Sequence, residues 1–148
     1  MQQKTTVGLT IASNFKFVEL AEVVSNNLAK LVGFDDDTTM WISMAVREAV
    51  INAIKHGNKQ DESKHVDIRF SINADTIAVQ VADQGEGFDP TNIPDPLDPE
   101  NLLKPSGRGI FYIRTFMDKV EFSSHPGGGT VVNMVRRKRS DGGGQGRC

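Results

Sequence analysis

The sequence predicts an α+β fold, a two-layer sandwich in which helices cover one face of a mixed, mostly antiparallel sheet. Three observations carry this expectation. Segments with apolar residues at alternate positions cluster at 5–12, at 66–72 and 77–81, and at 119–124 and 130–136. Two longer segments with helical periodicity follow one another directly, so strands and helices do not alternate as they would in a parallel α/β sheet. The chain has 148 residues, 38% of them hydrophobic, which is enough for one core and too little for two.

The elements follow in order. Val7, Leu9 and Ile11 alternate with polar residues and Gly8, as in a half-buried strand. From Asn14 to Val32 the period changes, and Phe17, Leu20, Ala21, Val24, Leu28 and Leu31 form a helical stripe ending near Gly33. The acidic run Asp35–Asp37 with Thr38 caps a second helix, expected from about Thr39 to His56 and stopped by Gly57-Asn58. Val66, Ile68, Phe70 and Ile72, then Ile77, Val79 and Val81, form two strands joined by the turn Asn73-Ala74-Asp75. Residues 88–106 hold five of the six prolines and are expected to form a long loop. A short helix from about Gly109 to Phe116 follows, with Ile110, Ile113, Phe116 and Met117 on one stripe. Two strands flank His125–Gly129, and a polar, glycine-rich tail from Ser140 is expected to be disordered.

Composition excludes several classes of function. A net charge of −2 does not suit a protein that binds nucleic acid through bulk positive charge. The single cysteine, Cys148, can form neither an internal disulfide nor a multi-cysteine metal site. The opening MQQKTTVGLT lacks the apolar core of a secretory signal, and no apolar run approaches the roughly 18 residues of a spanning helix. A soluble, cytoplasmic protein is expected. The P-loop, the dinucleotide fingerprint, HExxH, GxSxG and the HRD and DFG signatures are all absent.

Four short patterns could carry chemistry. On the second helix Glu48 and Asn52 are four apart and share a face, among the apolar Met44, Ala45, Ala49, Ala53 and Ile54. They could be structural, with Glu48 paired to Lys55 or Arg47, or they could form a hard-cation site with Glu48 as base and the Asn52 oxygen as ligand. In Asp83-Gln84-Gly85-Glu86-Gly87-Phe88 an acid ends a buried strand and glycines alternate after it. That pattern suits a plain turn, or a place where backbone and carboxylate approach a planar ligand. Ser106-Gly107-Arg108-Gly109 opens a helix, where free N–H groups with Lys104 and Arg108 could cradle phosphate. Gly128-Gly129-Thr130 precedes the last strand, as in many hairpins.

Read together, the order is E-x3-N on a helix, D-x-G-x-G-F, G-x-G opening a helix and G-G-T before a strand. From about Thr5 to Lys138 it resembles the N, G1 and G2 boxes and closing Gly-Thr of the Bergerat-type (GHKL) ATP-binding fold of histidine kinases, gyrase B and MutL. Within that superfamily the stretches 47–58 and 107–120, and the small size, are similar to the stand-alone anti-sigma-factor serine kinases of the RsbW and SpoIIAB type. The resemblance implies residues 1–139 as an ATP-binding kinase domain, with an ATP lid at about 88–106, and 140–148 as a tail. It implies Asn52 as Mg²⁺ ligand, Glu48 as general base toward a serine on a protein substrate, and Asp83 as acceptor from the adenine amino group, helped by Thr130. Gly85 and Gly87 would let the backbone pass the base, and Lys104, Gly107, Arg108 and Gly109 would hold the phosphates. No histidine among His56, His65 and His125 is assigned a catalytic role.

Charge agrees with a metal. Between Arg69 and Lys104 there are seven acids and no Lys or Arg, so a triphosphate under this lid needs a divalent cation. The expected function is an anti-sigma factor and ATP-dependent serine kinase. It phosphorylates a STAS-type anti-anti-sigma partner, sequesters a sigma factor and acts as a homodimer, with no direct nucleic-acid or membrane contact. The alternatives are a nucleotide-binding switch without phosphotransfer and a catalytic fragment of a histidine kinase. The four consecutive basic residues Arg136–Arg139 have no expected use. Together with the tail they hold five of the seventeen basic residues, leaving a formal −6 on residues 1–135.

Overall fold

A computed structural model describes residues 4–85, 113–124 and 128–139. Five strands, β1 (Thr5–Ala12), β2 (His65–Ile72), β3 (Thr76–Ala82), β4 (Lys119–Ser124) and β5 (Thr130–Arg137), form one sheet in the order β1-β2-β3-β5-β4. Every pairing among them is antiparallel. Two helices, α1 (Val18–Val32) and α2 (Asp36–Asn52), lie between β1 and β2 in the chain. The α+β sandwich expected from the alternating segments is the architecture found.

Alternation decides which sheet face meets the helices. Leu9 pairs with Ile68, Phe70 with Val79, and Val79 with Met134. These rows, with Ile42, Val46, Val50 and Ile54, make the core, and Phe70 is fully enclosed. Each such side chain contributes about 1.5–3 kcal/mol by leaving water. The opposite face carries cross-strand polar pairs: Thr10 Oγ1 donates to Asp67 Oδ1 at 2.7 Å, and Gln80 Nε2 to Asn133 Oδ1 at 3.2 Å. The β2–β3 turn works as its composition predicts, with Asn73 Oδ1 accepting from the N–H groups of Asp75 (3.1 Å) and Thr76 (2.9 Å).

The helices depart from expectation in two respects. α1 buries Val18, Ala21, Ser25, Leu28, Ala29 and Val32, while Leu20 and Leu31 point outward. The inward stripe is thus rotated from the one that includes both leucines. A turn of 3₁₀ helix, Phe15–Phe17, leads into α1, and Gly33 closes it at φ +106°, a conformation that favours glycine. α2 begins at Asp36, three residues earlier than expected, because Asp35 is the cap: its Oδ1 accepts from Thr38 N–H at 2.7 Å. Asp36 and Asp37 then occupy the first turn, where the helix dipole favours negative charge. Past Asn52 the helix widens into a π turn, Ala53–Gly57.

The helical turn at 113–116 docks on α2, where Phe116 stacks on Trp41 with ring centroids 6.3 Å apart. Ile113 and Met117 are buried there, as their stripe predicts; Ile110 lies outside the described residues. The basic run proves structural. Arg136 Nη1 donates to Phe116 O at 2.8 Å, and Lys138 Nζ to Val32 O at the end of α1 at 3.3 Å. Arg137 pairs with Asp75 at 3.4 Å and Arg139 with Asp118 at 3.0 Å.

The hydrogen bond from the Thr38 backbone holds the Asp35 carboxyl below its ordinary value of 3.8. The cap therefore stabilises the fold above that pH, and its contribution fades as the pH falls through the depressed value. Asp35→Ala is expected to cost about 1 kcal/mol near neutral pH. In thermal melts the gap from wild type should close in acid.

Candidate functional site

One end of the sandwich gathers segments far apart in sequence. Ser13 follows β1, Gly57-Asn58 ends the π turn, His65 opens β2, Asp83–Gly85 follows β3, and Gly128–Thr130 opens β5. Asp83 is its centre, only 7% exposed. Its Oδ1 accepts from the N–H groups of Gly85 and Thr130, both at 3.0 Å, and its own N–H donates to Thr130 O at 3.0 Å. Two backbone donors offset the cost of burying one carboxylate oxygen. The other, Oδ2, lies against the Gly57 α-carbon and has no hydrogen-bond partner among the described residues. An incoming N–H donor can still be accepted there.

The glycines of this region answer to close approach. A Cβ on Gly57 would strike the Asp83 carboxylate, and one on Gly85 would strike the Gly57 carbonyl. Neither position has a positive φ, so glycine is required there by space and not by backbone conformation. Gly129 meets both demands: φ is +97° and a Cβ would strike the Asp83 carbonyl. The clearance at Gly85 is thus taken up by the protein's own chain.

Asn58 was visible in the sequence only as a helix stop, yet it ties this end together. It is 1% exposed. Its Nδ2 donates to Ser13 Oγ (2.8 Å) and His65 O (3.0 Å), and its Oδ1 accepts from Gln84 N–H (2.7 Å). Gln84 returns the tie by accepting from His65 N–H through Oε1. The Asn58 N–H closes the π turn on Ala53 O at 2.8 Å. Lys59 and Gln60 follow with φ of +52° and +61°, a conformation non-glycine residues adopt at a cost of about 1–2 kcal/mol each. The anchored asparagine and the bond from Gln60 N–H to Ile54 O (2.7 Å) hold them there. The dipeptide Gly57-Asn58 was the available signal, since turn termination alone does not need a buried amide.

Glu48 and Asn52 lie on the last turn and a half of α2, both half-buried, at the edge of the core stripe. The ion pair considered for Glu48 is not formed: Arg47 instead meets Glu22 of α1 at 3.7 Å. Among the described residues neither the Glu48 carboxylate nor the Asn52 amide has a hydrogen-bond or ion-pair partner. Met44, expected among the buried neighbours, is exposed; Ala45, Ala49, Ala53 and Ile54 are buried. His56 and His65 are exposed, and desolvation, then the charge of Lys55, pulls the His56 imidazole below its ordinary value. The Thr130 backbone N–H donates to Asp83 Oδ1. Gly87, Lys104, Gly107, Arg108, Gly109, His125, the 88–106 lid and the 140–148 tail lie outside the described residues.

Residues 13–136 match the histidine kinase-like ATPase domain. The chain belongs to this family. Among its relatives, a serine-protein kinase RsbW of Halalkalibacterium halodurans is 30% identical over 147 residues, covering 95% of this chain and 88% of the relative. Another RsbW, of Oceanobacillus iheyensis, is 29% identical over 127 residues, covering 82% and 80%. An anti-sigma F factor of Clostridium perfringens is 41% identical over 100 residues, covering 65% and 70%. A solved structure of the RsbU and RsbW domains of a Mycobacterium tuberculosis protein superposes with a TM-score of 0.64 at 16% identity. It covers 92% of this chain and a third of the other, and supports the fold. As a member of an ATPase and kinase family, the chain uses ATP.

Asn58→Ala would remove the acceptor of the Gln84 N–H and the donor to the His65 carbonyl and to Ser13 Oγ, whose hydroxyl would keep only its bond to Lys64 O. A loss of about 2–4 kcal/mol in denaturant unfolding is expected, well beyond an ordinary surface change. A loss under about 0.5 kcal/mol would remove Asn58 as the tie of this end.

Proposed function

We infer that this chain is an anti-sigma factor with ATP-dependent protein-serine kinase activity. On this reading it phosphorylates a serine of a STAS-type anti-anti-sigma partner, sequesters a sigma factor and works as a cytoplasmic homodimer. No helix among the described residues is long and apolar enough to cross a membrane. The observation that carries the reading is the pair Glu48 and Asn52. Among the described residues they stand unpartnered on one helix, and that helix runs into the turn whose Gly57 seats Asp83.

The available donors suit ATP. The Oδ2 of Asp83, without a hydrogen-bond partner among the described residues, is an acceptor for the exocyclic amine of adenine, and the N–H groups of Gly85 and Thr130 hold the carboxylate in place through Oδ1. Asn52 offers an amide oxygen, a ligand that suits Mg²⁺. No group of three or more His, Cys, Asp or Glu able to hold a metal occurs among the described residues. This fits an ion that keeps waters and takes phosphate oxygens, with few protein ligands. Bound there, the ion would neutralise phosphate charge. Glu48, one helical turn before Asn52, would accept the proton of the serine hydroxyl as its oxygen forms a bond to the γ-phosphorus and the bond to the β-phosphate oxygen breaks. Gly87, Lys104, Gly107, Arg108 and Gly109 are proposed from sequence alone to complete the nucleotide site.

Two substitutions separate the roles. Glu48→Gln keeps the shape of the side chain and removes its basicity. ATP affinity by calorimetry should hold while serine phosphorylation of a cognate partner falls by about 10²-fold or more. Equal phosphorylation rates would instead favour a nucleotide-binding switch. Asp83→Asn turns an acceptor toward Gly57 into an amide that cannot serve both backbone donors and the adenine amine. ATP should bind about tenfold more weakly or worse, and unchanged affinity would remove Asp83 from the adenine site.

A further inference from the structure

Among the described residues, six large hydrophobic side chains are exposed: Phe15, Leu20, Val23, Leu31, Met40 and Met44. Four belong to α1 or its entry. The other two lie on α2, the helix that carries Glu48 and Asn52. Met40, Met44, Glu48 and Asn52 follow one another at intervals of four residues, so they form one slanting ridge on the helix surface. Each step is about 6 Å along the axis, which puts Met44 about 6 Å and Met40 about 12 Å from Glu48. Met40 is 52% exposed and Met44 40%, whereas Ile42, Ala45, Val46 and Ala49 of the same helix enter the core.

The ridge gains its meaning from what has to reach Glu48. A seryl hydroxyl that gives its proton to this carboxylate comes within about 2.6–3.2 Å of it, so the segment bearing that serine lies against α2. Its routes along the helix are few. Ala45 and Ala49, on one side of Glu48, are buried. Toward the C-terminus lies Asn52, with the place proposed for the metal and phosphates. Arg47 reaches across to Glu22 of α1, and Phe116 covers Trp41. Among the described residues, the path left open runs back over Met44 to Met40. An extended segment repeats its side chains on one face every two residues, about 6.6 Å, close to the step of the ridge. With the serine at Glu48, the residue two positions away falls over Met44 and the residue four away over Met40. Methionine, unbranched and polarizable, adapts to apolar partners of varied shape. We propose that Met40 and Met44 form the docking track for the serine-bearing segment of the protein substrate. That segment runs extended along α2 and sets apolar side chains, two and four residues from its serine, on the two methionines. The proposal rests on the kinase reading above and adds how such a kinase selects its serine.

The test uses the full chain with Mg²⁺, ATP and the STAS-type proteins of the same genome as substrates. Met40→Lys and Met44→Lys alter exposed positions, and thermal melts confirm that each variant folds. Met44→Lys should raise KM for the phosphorylated partner about tenfold or more, with kcat within about twofold of wild type and ATP affinity by calorimetry unchanged. Met40→Lys should act in the same direction. Met44→Leu, of similar volume and still apolar, should return KM to within about twofold of wild type. A photo-reactive benzoylphenylalanine in place of Met44 should crosslink to the partner within a few residues of its phosphorylated serine. Three results would each overturn the track and leave the kinase in place. They are a KM that neither lysine variant moves, a Met44→Leu chain as impaired as Met44→Lys, and a crosslink to this chain itself or to a remote part of the partner. If the wild-type chain binds ATP but phosphorylates none of these proteins, the kinase reading fails and the track with it.

Discussion

No methyl group fits on the α-carbon of Gly57, because the Asp83 carboxylate already lies there, and none fits on Gly129 against the Asp83 carbonyl. Much of the architecture at this end follows from that crowding. A buried carboxylate has to be hydrogen-bonded, and the donors within reach are backbone N–H groups of Gly85 and Thr130. Meeting them continues the β3–β5 pairing one residue past Ala82 and fixes where β5 begins. It also fixes how closely the end of α2 approaches the sheet. The widened turn at Ala53–Gly57 accommodates that approach, and the α-helix ends at Asn52 with its side chain on the last turn.

The polar tie at Asn58 and the apolar core stabilise the fold in different ways. Burial of the apolar core, in which Phe70, Ile42 and Met134 are fully enclosed, contributes most of the free energy, and such positions tolerate volume-conserving exchange. Asn58 contributes less in total but has one acceptable geometry, since three groups on three segments depend on its two side-chain termini. The core thus brings the layers together, while Asn58 and Asp83 set the relative positions of the segment ends. The proposed site, which presents Glu48, Asn52 and the Oδ2 of Asp83, needs the second kind of constraint.

Period and turn chemistry were enough to read the five strands, both helices and the Asn73 turn from the sequence. They were not enough to orient α1. Leucine, valine and alanine recur at spacings of three and four on two overlapping stripes, and only packing decides between them. The stripe chosen includes Ser25, whose hydroxyl donates to Glu22 O at 2.9 Å, and excludes Leu20 and Leu31. Asp83, Glu48 and Asn52 were visible because their residue types are unusual in apolar surroundings. Gly57 and Asn58 were not, since a glycine needed for clearance looks like one needed for a turn. The role of Arg136–Lys138 was hidden for another reason. Backbone carbonyls of Phe116, Val32 and Asp75 receive much of it, and a carbonyl carries no signature of residue type.

The one ion pair between the helices bears on the chemistry of the site. Arg47 immediately precedes Glu48, and in the sequence it was an obvious counter-ion for that carboxylate. Helical geometry turns adjacent side chains about 100° apart, and α1 supplies Glu22 on the side to which Arg47 points. The pair is long, at 3.7 Å, and its arginine is largely exposed, so its own contribution to stability is small. Its consequence is positional. With Arg47 directed toward α1, Glu48 has no ion-pair partner among the described residues, which suits the role of proton acceptor proposed for it. The inner flank of α1 packs on α2 and draws away the guanidinium that would otherwise pair with Glu48.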